Sequence, residues 1–460
     1  MAILIGMLLQ VAWTAASGAH QYTISVDDNL QKMTVEARFD RPIDYISARS
    51  RYAPRYLGGA LDCDTNKRLT TRGRRLEIPA AGLRCLSYDV SLASADRDAE
   101  KIVISPTLWM WRPRLRRDDE ILTTFELPDD AGVFVPWQMI DDDRRRYRLV
   151  ASPESGTATA VFGQFEEHIE TIADTRIRIV LLGPQSDITL EKFVPWINST
   201  AQNIEQTYGR FPNPNVGVIL NPVSRWGWGG DRAVSFGRVV RDGGETIELM
   251  INPDRPITDY YDEWTPTHEF SHLMLPYVDR EQRWISEGFA QYYQNVLLAR
   301  AGQHSALDAW QKIYTGLERG RESAPGISPN DAANGRMRDT RMKVYWSGAS
   351  LALMADVELR RRSDGRQSLD SVLGDLQQCC LPSARSWSGV EFFAKLDELL
   401  GDTLFMDLYR KYADADDFPD PRPLLARLGV SARDGAVALD DGAELSVIRE
   451  TITRQDTRPH

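Results

Sequence analysis

Hydrophobic and polar residues alternate in short runs over the first third of the chain. Examples are residues 22–26 (YTISV), 33–37 (MTVEA), 101–104 (KIVI) and 147–150 (YRLV), which turn-forming residues separate. An alternation with a period of two places one face of a strand on a core and leaves the other face in solvent. The pattern therefore predicts an all-β domain over residues 20–165.

The hydrophobic pattern changes after this β-rich region. Strand-like runs occupy residues 176–182, 216–220 and 246–251, and a helical pattern lies between the first two at residues 190–208. Strands and helices mixed in this order predict an α+β domain, to which we assign residues 166–302.

The last part of the chain has a helical period. Amphipathic runs at residues 306–317, 349–362 and 390–400 predict a C-terminal α-helical domain over residues 303–435. Residues 436–460 are largely polar, and we predict that they form a tail without a further domain. A chain of 460 residues has room for several domains, which agrees with this multidomain division.

Two features bear on where the protein resides. Residues 1–19 begin with a hydrophobic stretch and end in the small residues Ser17, Gly18 and Ala19, which is typical of a secretory signal peptide. No later stretch contains the roughly 20 apolar residues that a membrane-spanning helix needs. We therefore expect a secreted or periplasmic protein with no stable membrane insertion after signal removal.

Cysteine usage and net charge narrow the picture further. Cys63 and Cys85 lie in the predicted β domain, and we expect a disulfide between them. Adjacent cysteines pair only under strain, so the state of Cys379 and Cys380 stays open. The net charge is −11, which argues against nucleic acid as a partner.

The strongest chemical signal is the five-residue sequence HEFSH at residues 268–272. Only a helix turns His268 and His272 to the same side, close enough to share a metal ion. The preceding residues predict that helix, because Thr265 suits the N-cap and Pro266 suits the first helical position.

A third candidate ligand follows the second histidine after fourteen intervening residues. Catalytic zinc commonly takes two histidines and a glutamate and leaves its fourth position to water, and Glu287 completes that set near the start of a hydrophobic helix predicted at residues 284–301. Glu269 lies beside the histidines, where it is suited to accept a proton from water. The pattern predicts one Zn²⁺ per chain, and the alternative is a chance match in two ordinary helices.

Three separated segments resemble the gluzincin metallopeptidases, the superfamily that includes thermolysin, aminopeptidase N and the glycyl aminopeptidases. The segments are residues 268–272, residues 284–293 (WISEGFAQYY) and residues 344–351 (VYWSGASL). The resemblance implies a thermolysin-like α+β catalytic domain behind the N-terminal β domain.

The same resemblance implies a role for each matching residue. His268, His272 and Glu287 would bind zinc, Glu269 would act as the general base, and Tyr345 would donate a hydrogen bond to the oxyanion of the tetrahedral intermediate. The alternative for Tyr345 is an aromatic residue buried in a helix without a catalytic role.

The sequence also departs from the pattern of these families. Ser347 stands where they have a lysine, and Gln294 stands where a carboxylate is often found. The Gly-rich segment 227–235 (GWGGDRAVS) corresponds to the stretch that recognises the free amine of the substrate, and it supplies four candidate substrate-binding residues: Gly229, Gly230, Asp231 and Arg232.

Arg232 occupies the position of the amine-binding glutamate in this segment. An arginine there can instead pair with a substrate carboxylate. The alternative is a Gly-rich hairpin with a solvated Asp and Arg at its tip.

These observations predict a zinc-dependent peptidase that acts on a peptide or protein substrate, and the resemblance favours an aminopeptidase. Two alternatives remain open. The first is an endopeptidase of the same superfamily, and the second is a noncatalytic, zinc-stabilised binding protein of the envelope. The sequence leaves the oligomeric state undetermined.

Overall fold

The computed structural model of the chain describes residues 19–98, 100–142, 144–183, 189–223 and 231–455, apart from the side chain of Tyr208. The predicted signal peptide therefore lies outside the described residues except for its last residue. Gly229 and Gly230 lie outside them as well.

Short strands with alternating burial form the N-terminal region, as the sequence pattern predicts. One short helix, α1 (Pro106–Trp109), interrupts them. The strands are β1 (Ala19–Val26), β2 (Lys32–Ile43), β3 (Leu57–Asp62), β4 (Lys67–Leu69), β5 (Thr71–Arg72), β6 (Arg75–Leu76), β7 (Leu83–Ser91), β8 (Asp96–Arg97), β9 (Lys101–Ile104), β10 (Glu120–Glu126), β11 (Gly132–Phe134), β12 (Gln138–Met139), β13 (Arg146–Val150) and β14 (Ala160–Gly163).

These strands form one large sheet, one small sheet and a two-stranded ribbon. The large sheet has the order β12-β13-β10-β1-β2-β7-β3-β4, and the small sheet has the order β11-β14-β9-β8. Side chains from both sheets, such as Ile24 and Phe162, share one hydrophobic core. Cys63 and Cys85 form the expected disulfide, and Cys379 and Cys380 are also joined as a disulfide.

A five-stranded sheet follows, with helices beside it. Its strands are β15 (Glu166–Ile172), β16 (Thr175–Leu181), β17 (Asn215–Pro222), β18 (Val234–Arg241) and β19 (Glu245–Ile251), and its helices are α2 (Val194–Tyr208), α3 (Ile257–Tyr261) and α4 (Thr265–His272). The order is β15-β16-β17-β19-β18, in which β16, β17 and β19 are parallel and β18 lies antiparallel at the edge. The edge strand β18 packs next to α4.

The remainder of the chain is mostly helical. The helices are α5 (Trp284–Arg300), α6 (Ala306–Glu322), α7 (Pro329–Asn334), α8 (Met337–Arg362), α9 (Leu369–Cys380), α10 (Gly389–Leu400), α11 (Leu404–Tyr412), α12 (Arg422–Arg427) and α13 (Ser446–Thr453), and the hairpin β20 (Val430–Arg433) with β21 (Ala436–Leu439) lies before α13. One continuous hydrophobic core runs from the five-stranded sheet through these helices, from Ile172 to Ile452.

The β-rich N-terminal region and the helical C-terminal region are thus confirmed, whereas the exact domain boundaries stay a prediction. Residues 436–460, predicted as a polar tail, contain β21 and α13, and Ile452 is buried against the main core. Leu445, Ile448 and Ile452 recur at helical spacing in this segment, a pattern that the prediction of a polar tail did not take into account. Among the helices of the described part, none is long and apolar enough to span a bilayer.

Candidate metal centre and active site

Helix α4 presents the two histidines on one side. The rings of His268 and His272 lie with their centroids 4.9 Å apart, as the spacing of one helical turn requires.

The predicted N-cap is wrong by one residue. Trp264 is the N-cap and its side chain makes no capping hydrogen bond, while Thr265 is already the first helical residue. Pro266 is therefore the second helical residue. Its missing N–H costs no hydrogen bond there, because the N–H groups of the first turn have no partner within the helix.

The crossing of α5 and α8 brings the third candidate ligand to the histidines. Two glycines meet at the crossing, and a Cβ atom added to Gly288 would lie 2.2 Å from the Cα of Gly348. Only glycine allows so close an approach of two helix backbones. Since Glu287 precedes Gly288, and Tyr345 lies three residues before Gly348, the contact places both functional side chains in one region.

The three candidate ligands converge in the structure. Glu287 Oε2 lies 3.3 Å from His268 Nε2 and 3.6 Å from His272 Nε2, and the three ligand atoms all lie within 4.8 Å of one another. Ligand atoms about 2.1 Å from a tetrahedral zinc ion are about 3.4 Å apart. The three predicted ligands therefore have the spacing and the chemistry of a zinc site.

Gln294 fixes the orientation of the His268 ring. His268 Nδ1 lies 2.8 Å from Gln294 Oε1, and both residues are buried. Because the amide oxygen can only accept, Nδ1 holds the proton, and Nε2 is left to face the other ligands. Gln294 stands where the related families often have a carboxylate. Its amide oxygen accepts the same hydrogen bond that a carboxylate would accept.

Glu269 belongs to α4, and its side chain lies against the edge strand β18. A Cβ atom on Gly237 of that strand would come within 2.8 Å of the Glu269 side chain, so glycine is required for this contact. Burial raises the pKa of the Glu269 carboxyl, and the charges of His268 and His272 oppose this rise. A carboxylate held beside the ligand cluster can take part in proton transfer.

Tyr345 lies directly over the metal-ligand cluster. Its ring stacks on that of His268 with centroids 5.7 Å apart, and the carboxylates of Glu287 and Glu269 act on its hydroxyl electrostatically. Burial and the nearby carboxylates raise the pKa of Tyr345 well above its usual value. The phenol therefore stays protonated and can act as a neutral hydrogen-bond donor.

The candidate substrate-binding segment is described only from Asp231 onward. Asp231 is exposed, while the guanidinium of Arg232 forms an ion pair with Glu263 and lies 5.3 Å from the centre of the Trp264 ring. Trp264 in turn packs edge-on against His268, with centroids 5.7 Å apart. Arg232 is thus connected to the ligand cluster through one aromatic side chain.

Glu263 also belongs to this site, although the sequence did not predict it. Its carboxylate accepts hydrogen bonds from the guanidinium of Arg232 and from the backbone N–H of Val234. These two contacts join the edge strand to the start of α4. No local sequence signal distinguishes this glutamate, because its partners are about thirty residues away.

Comparison with known proteins agrees with this arrangement. Residues 275–347 match the family model described as M61 glycyl aminopeptidase, and this segment includes Glu287 and Tyr345 but begins after His272. Comparison with the curated proteins finds no match.

Two solved structures are similar over most of the chain. An aminopeptidase N family protein from Idiomarina loihiensis has a TM-score of 0.64 at 14% identity, over 89% of this chain and 78% of that one. Native yeast LTA4 hydrolase has a TM-score of 0.53 at 12% identity, over 90% of this chain and 70% of that one. At these identities the structures show similarity of fold.

The predicted resemblance to the glycyl aminopeptidase family is therefore confirmed over residues 275–347, and the resemblance to the aminopeptidase N family is confirmed at the level of the fold. The family match also indicates a hydrolase that cleaves peptides.

Proposed function

We propose that the chain is a zinc-dependent aminopeptidase with a thermolysin-like catalytic core. One observation supports this proposal above all: the ligand atoms of His268, His272 and Glu287 converge within 4.8 Å of one another, with Glu269 and Tyr345 beside them. Two histidines and a glutamate form a standard set for catalytic zinc. A purely structural zinc site needs neither the adjacent buried carboxylate nor the phenol.

The neighbouring residues suit the hydrolysis of an amide bond. Zinc bound to the three ligands would supply a Lewis acid for the scissile carbonyl and lower the pKa of water. Glu269 accepts the proton of the attacking water and passes it to the leaving amine. Tyr345 donates its phenolic hydrogen to the oxygen on which negative charge develops. The edge strand β18 offers backbone groups that an extended substrate can pair with.

The resemblance to aminopeptidases favours removal of an N-terminal residue. An endopeptidase is the second candidate, and the ion pair between Arg232 and Glu263 favours it. Glu263 contacts the amine-binding segment at the backbone N–H of Val234, and Arg232 neutralises its charge. A free amine would therefore find a weaker anionic partner than in the related families.

Two assays test this proposal. Wild-type protein should hydrolyse amino-acid amides, and exclusive cleavage of amine-blocked peptides would replace the aminopeptidase with the endopeptidase. Glu269→Gln should keep its zinc and lose hydrolysis, because the amide cannot accept the proton. If the wild-type protein binds zinc but cleaves neither substrate class, the noncatalytic binding protein is the better description.

We further propose that the protein acts outside the cytoplasm on peptides, as its N-terminal sequence suggests.

A further inference from the structure

Cys379 and Cys380 form a disulfide between adjacent residues at the end of α9. A disulfide stabilises a fold mainly by closing a loop, and the effect grows with the number of residues in that loop. The bond between Cys63 and Cys85 spans 22 positions, whereas the bond between Cys379 and Cys380 closes no loop of intervening residues. It therefore adds little to the stability of the fold, and its main consequence is local.

The bond fixes the geometry of the last turn of α9. Adjacent residues of a helix point their side chains in different directions, whereas a disulfide brings the two Cβ atoms to about 3.8 Å. Two free thiols do not impose this arrangement, so the backbone at Cys379 and Cys380 depends on whether the bond is present. The next residue, Leu381, is extended and ends the helix.

A small reactant can reach this disulfide. Cys379 is exposed, while Cys380 is half-buried and packs against the main core. Both cysteines line a cavity of about 800 Å³, which is within the usual size of small-molecule sites in proteins. A sulfur atom that is accessible to a thiolate can undergo thiol–disulfide exchange.

The same cavity adjoins the helix that carries the two histidines. Leu273, which directly follows His272, lines the cavity together with Leu275 and Tyr277. Arg241 lines it as well, and its Nη2 donates a hydrogen bond to the carbonyl oxygen of His272 at 2.9 Å. The disulfide and the end of α4 thus share one cavity.

Backbone hydrogen bonds connect the segment after the disulfide to residues 273–283, which we call the connector. The connector joins α4 to α5, the two helices that carry the candidate metal ligands. The N–H of Trp387 donates to the carbonyl oxygen of Tyr277 at 2.9 Å, and the N–H of Asp279 donates to the carbonyl oxygen of Trp387 at 2.8 Å. A change at the end of α9 can therefore reach the connector through residues 381–386.

We propose that the Cys379–Cys380 disulfide is a redox modification site, at which a small thiol reduces the bond and thereby weakens metal binding. In the oxidised form, the end of α9 holds the connector, which keeps α4 and α5 in the arrangement where the three ligands converge. Reduction removes this restraint, so the ligands are less well preorganised. The inference rests on the proposed function, since it takes the ligand cluster to bind zinc.

The exchange is balanced with a dithiol such as dithiothreitol. One thiolate of the reagent attacks Sγ of Cys379, which forms a mixed disulfide and releases Cys380 as a thiolate. The second thiol of the reagent then attacks the reagent's sulfur in the mixed disulfide and releases Cys379. The protein gains two electrons and two protons, and the reagent leaves as a cyclic disulfide.

Selective reduction of the native protein tests the modification site. Anaerobic treatment with dithiothreitol, followed by alkylation and mass spectrometry, should label Cys379 and Cys380 before Cys63 and Cys85, because Cys85 is buried. The melting temperature should stay nearly unchanged, since the reduced bond closes no loop. Labelling of Cys379 and Cys380 only after denaturation would overturn the proposal.

Zinc affinity and hydrogen exchange test the coupling to the metal centre. After removal of the reagent, the reduced protein should bind zinc at least about fivefold more weakly than the oxidised protein, which is the lower end of the usual coupling between two sites. In metal-free protein, the amide hydrogens of Asp279 and Trp387 should exchange faster in the reduced form by a similar factor. Equal zinc affinity of the two forms would overturn the proposal.

A variant without the two thiols separates the loss of the bond from direct metal binding by cysteine. Cys379→Ala/Cys380→Ala should match the reduced protein in hydrogen exchange and should bind zinc at least about fivefold more weakly than the oxidised protein. Dithiothreitol should change neither property of this variant. A double variant that matches the oxidised protein in both measurements would contradict the proposal.

The outcomes distinguish this inference from the proposed function. If both forms bind zinc with equal affinity, the zinc centre stands and the role of the disulfide is refuted. If neither form binds zinc but exchange in the connector depends on the redox state, the zinc proposal fails and the redox modification site stands.

Discussion

Gln294→Leu tests how the structure prepares His268 to bind a metal. The substitution removes the oxygen that accepts from His268 Nδ1 at 2.8 Å and keeps a side chain of similar bulk. Without zinc, the ring can move its proton to Nε2 and donate it to Glu287, whose Oε2 is 3.3 Å away. With zinc, Nε2 is needed by the metal, so the proton must remain on a buried Nδ1 without a partner.

The full cost of the lost hydrogen bond therefore falls on the zinc-bound state. Leaving a buried donor unpaired costs about 1–3 kcal/mol. Since about 1.4 kcal/mol corresponds to a factor of ten, we expect the dissociation constant for zinc to rise roughly 10- to 100-fold, the range usual for residues that orient a metal ligand.

Competition with a chromophoric chelator of known zinc affinity measures this change. Gln294→Glu is the matched control, because a carboxylate accepts the same hydrogen bond and should bind zinc at least as tightly as the wild-type residue. A zinc affinity within about twofold of wild type for Gln294→Leu, in protein with an unchanged circular dichroism spectrum, would refute the reasoning.

Three further predictions follow from the same geometry. Tyr345→Phe should lower kcat by about 100-fold through loss of one oxyanion donor with zinc content and thermal stability unchanged; unchanged kinetics would remove Tyr345 from the mechanism. Gly288→Ala should destabilise the protein by about 3 kcal/mol or more, because the new Cβ would lie 2.2 Å from Gly348 Cα. Its control in a melting experiment is Gly59→Ala, whose Cβ would meet only the flexible end of Arg68 at 3.9 Å, and equal melting temperatures for the two variants would contradict the close crossing. Removal of zinc with a chelator should abolish hydrolysis reversibly, and activity that persists in metal-free protein would exclude a zinc mechanism.

Local periodicity and ligand chemistry were sufficient to predict the three candidate ligands that converge in the structure. The spacing of His268 and His272 fixes their relative position once a helix is assumed, and the need for a third ligand selects Glu287. Tyr345 could not be found in this way, because nothing in its local sequence specifies the contact with His268. Its placement rested on the resemblance to related enzymes.

The contacts that position these residues depend on distant parts of the chain. Gly288 and Gly348, which meet at the crossing of α5 and α8, are sixty positions apart in the sequence. The ion pair of Arg232 with Glu263 joins the residues that precede the edge strand to those that precede α4. A sequence pattern reports burial and period, but it does not report which two surfaces meet. For the same reason the packing of α13 was not predicted.

Zinc content is the most direct test of the account. Wild-type protein and Glu269→Gln, loaded with zinc and dialysed against metal-free buffer, should each retain one zinc ion per chain by elemental analysis. Glu287→Ala, treated identically, should lose it, since two histidines alone bind zinc weakly. Metal-free wild-type protein, or equal zinc content in Glu287→Ala, would contradict the proposed centre.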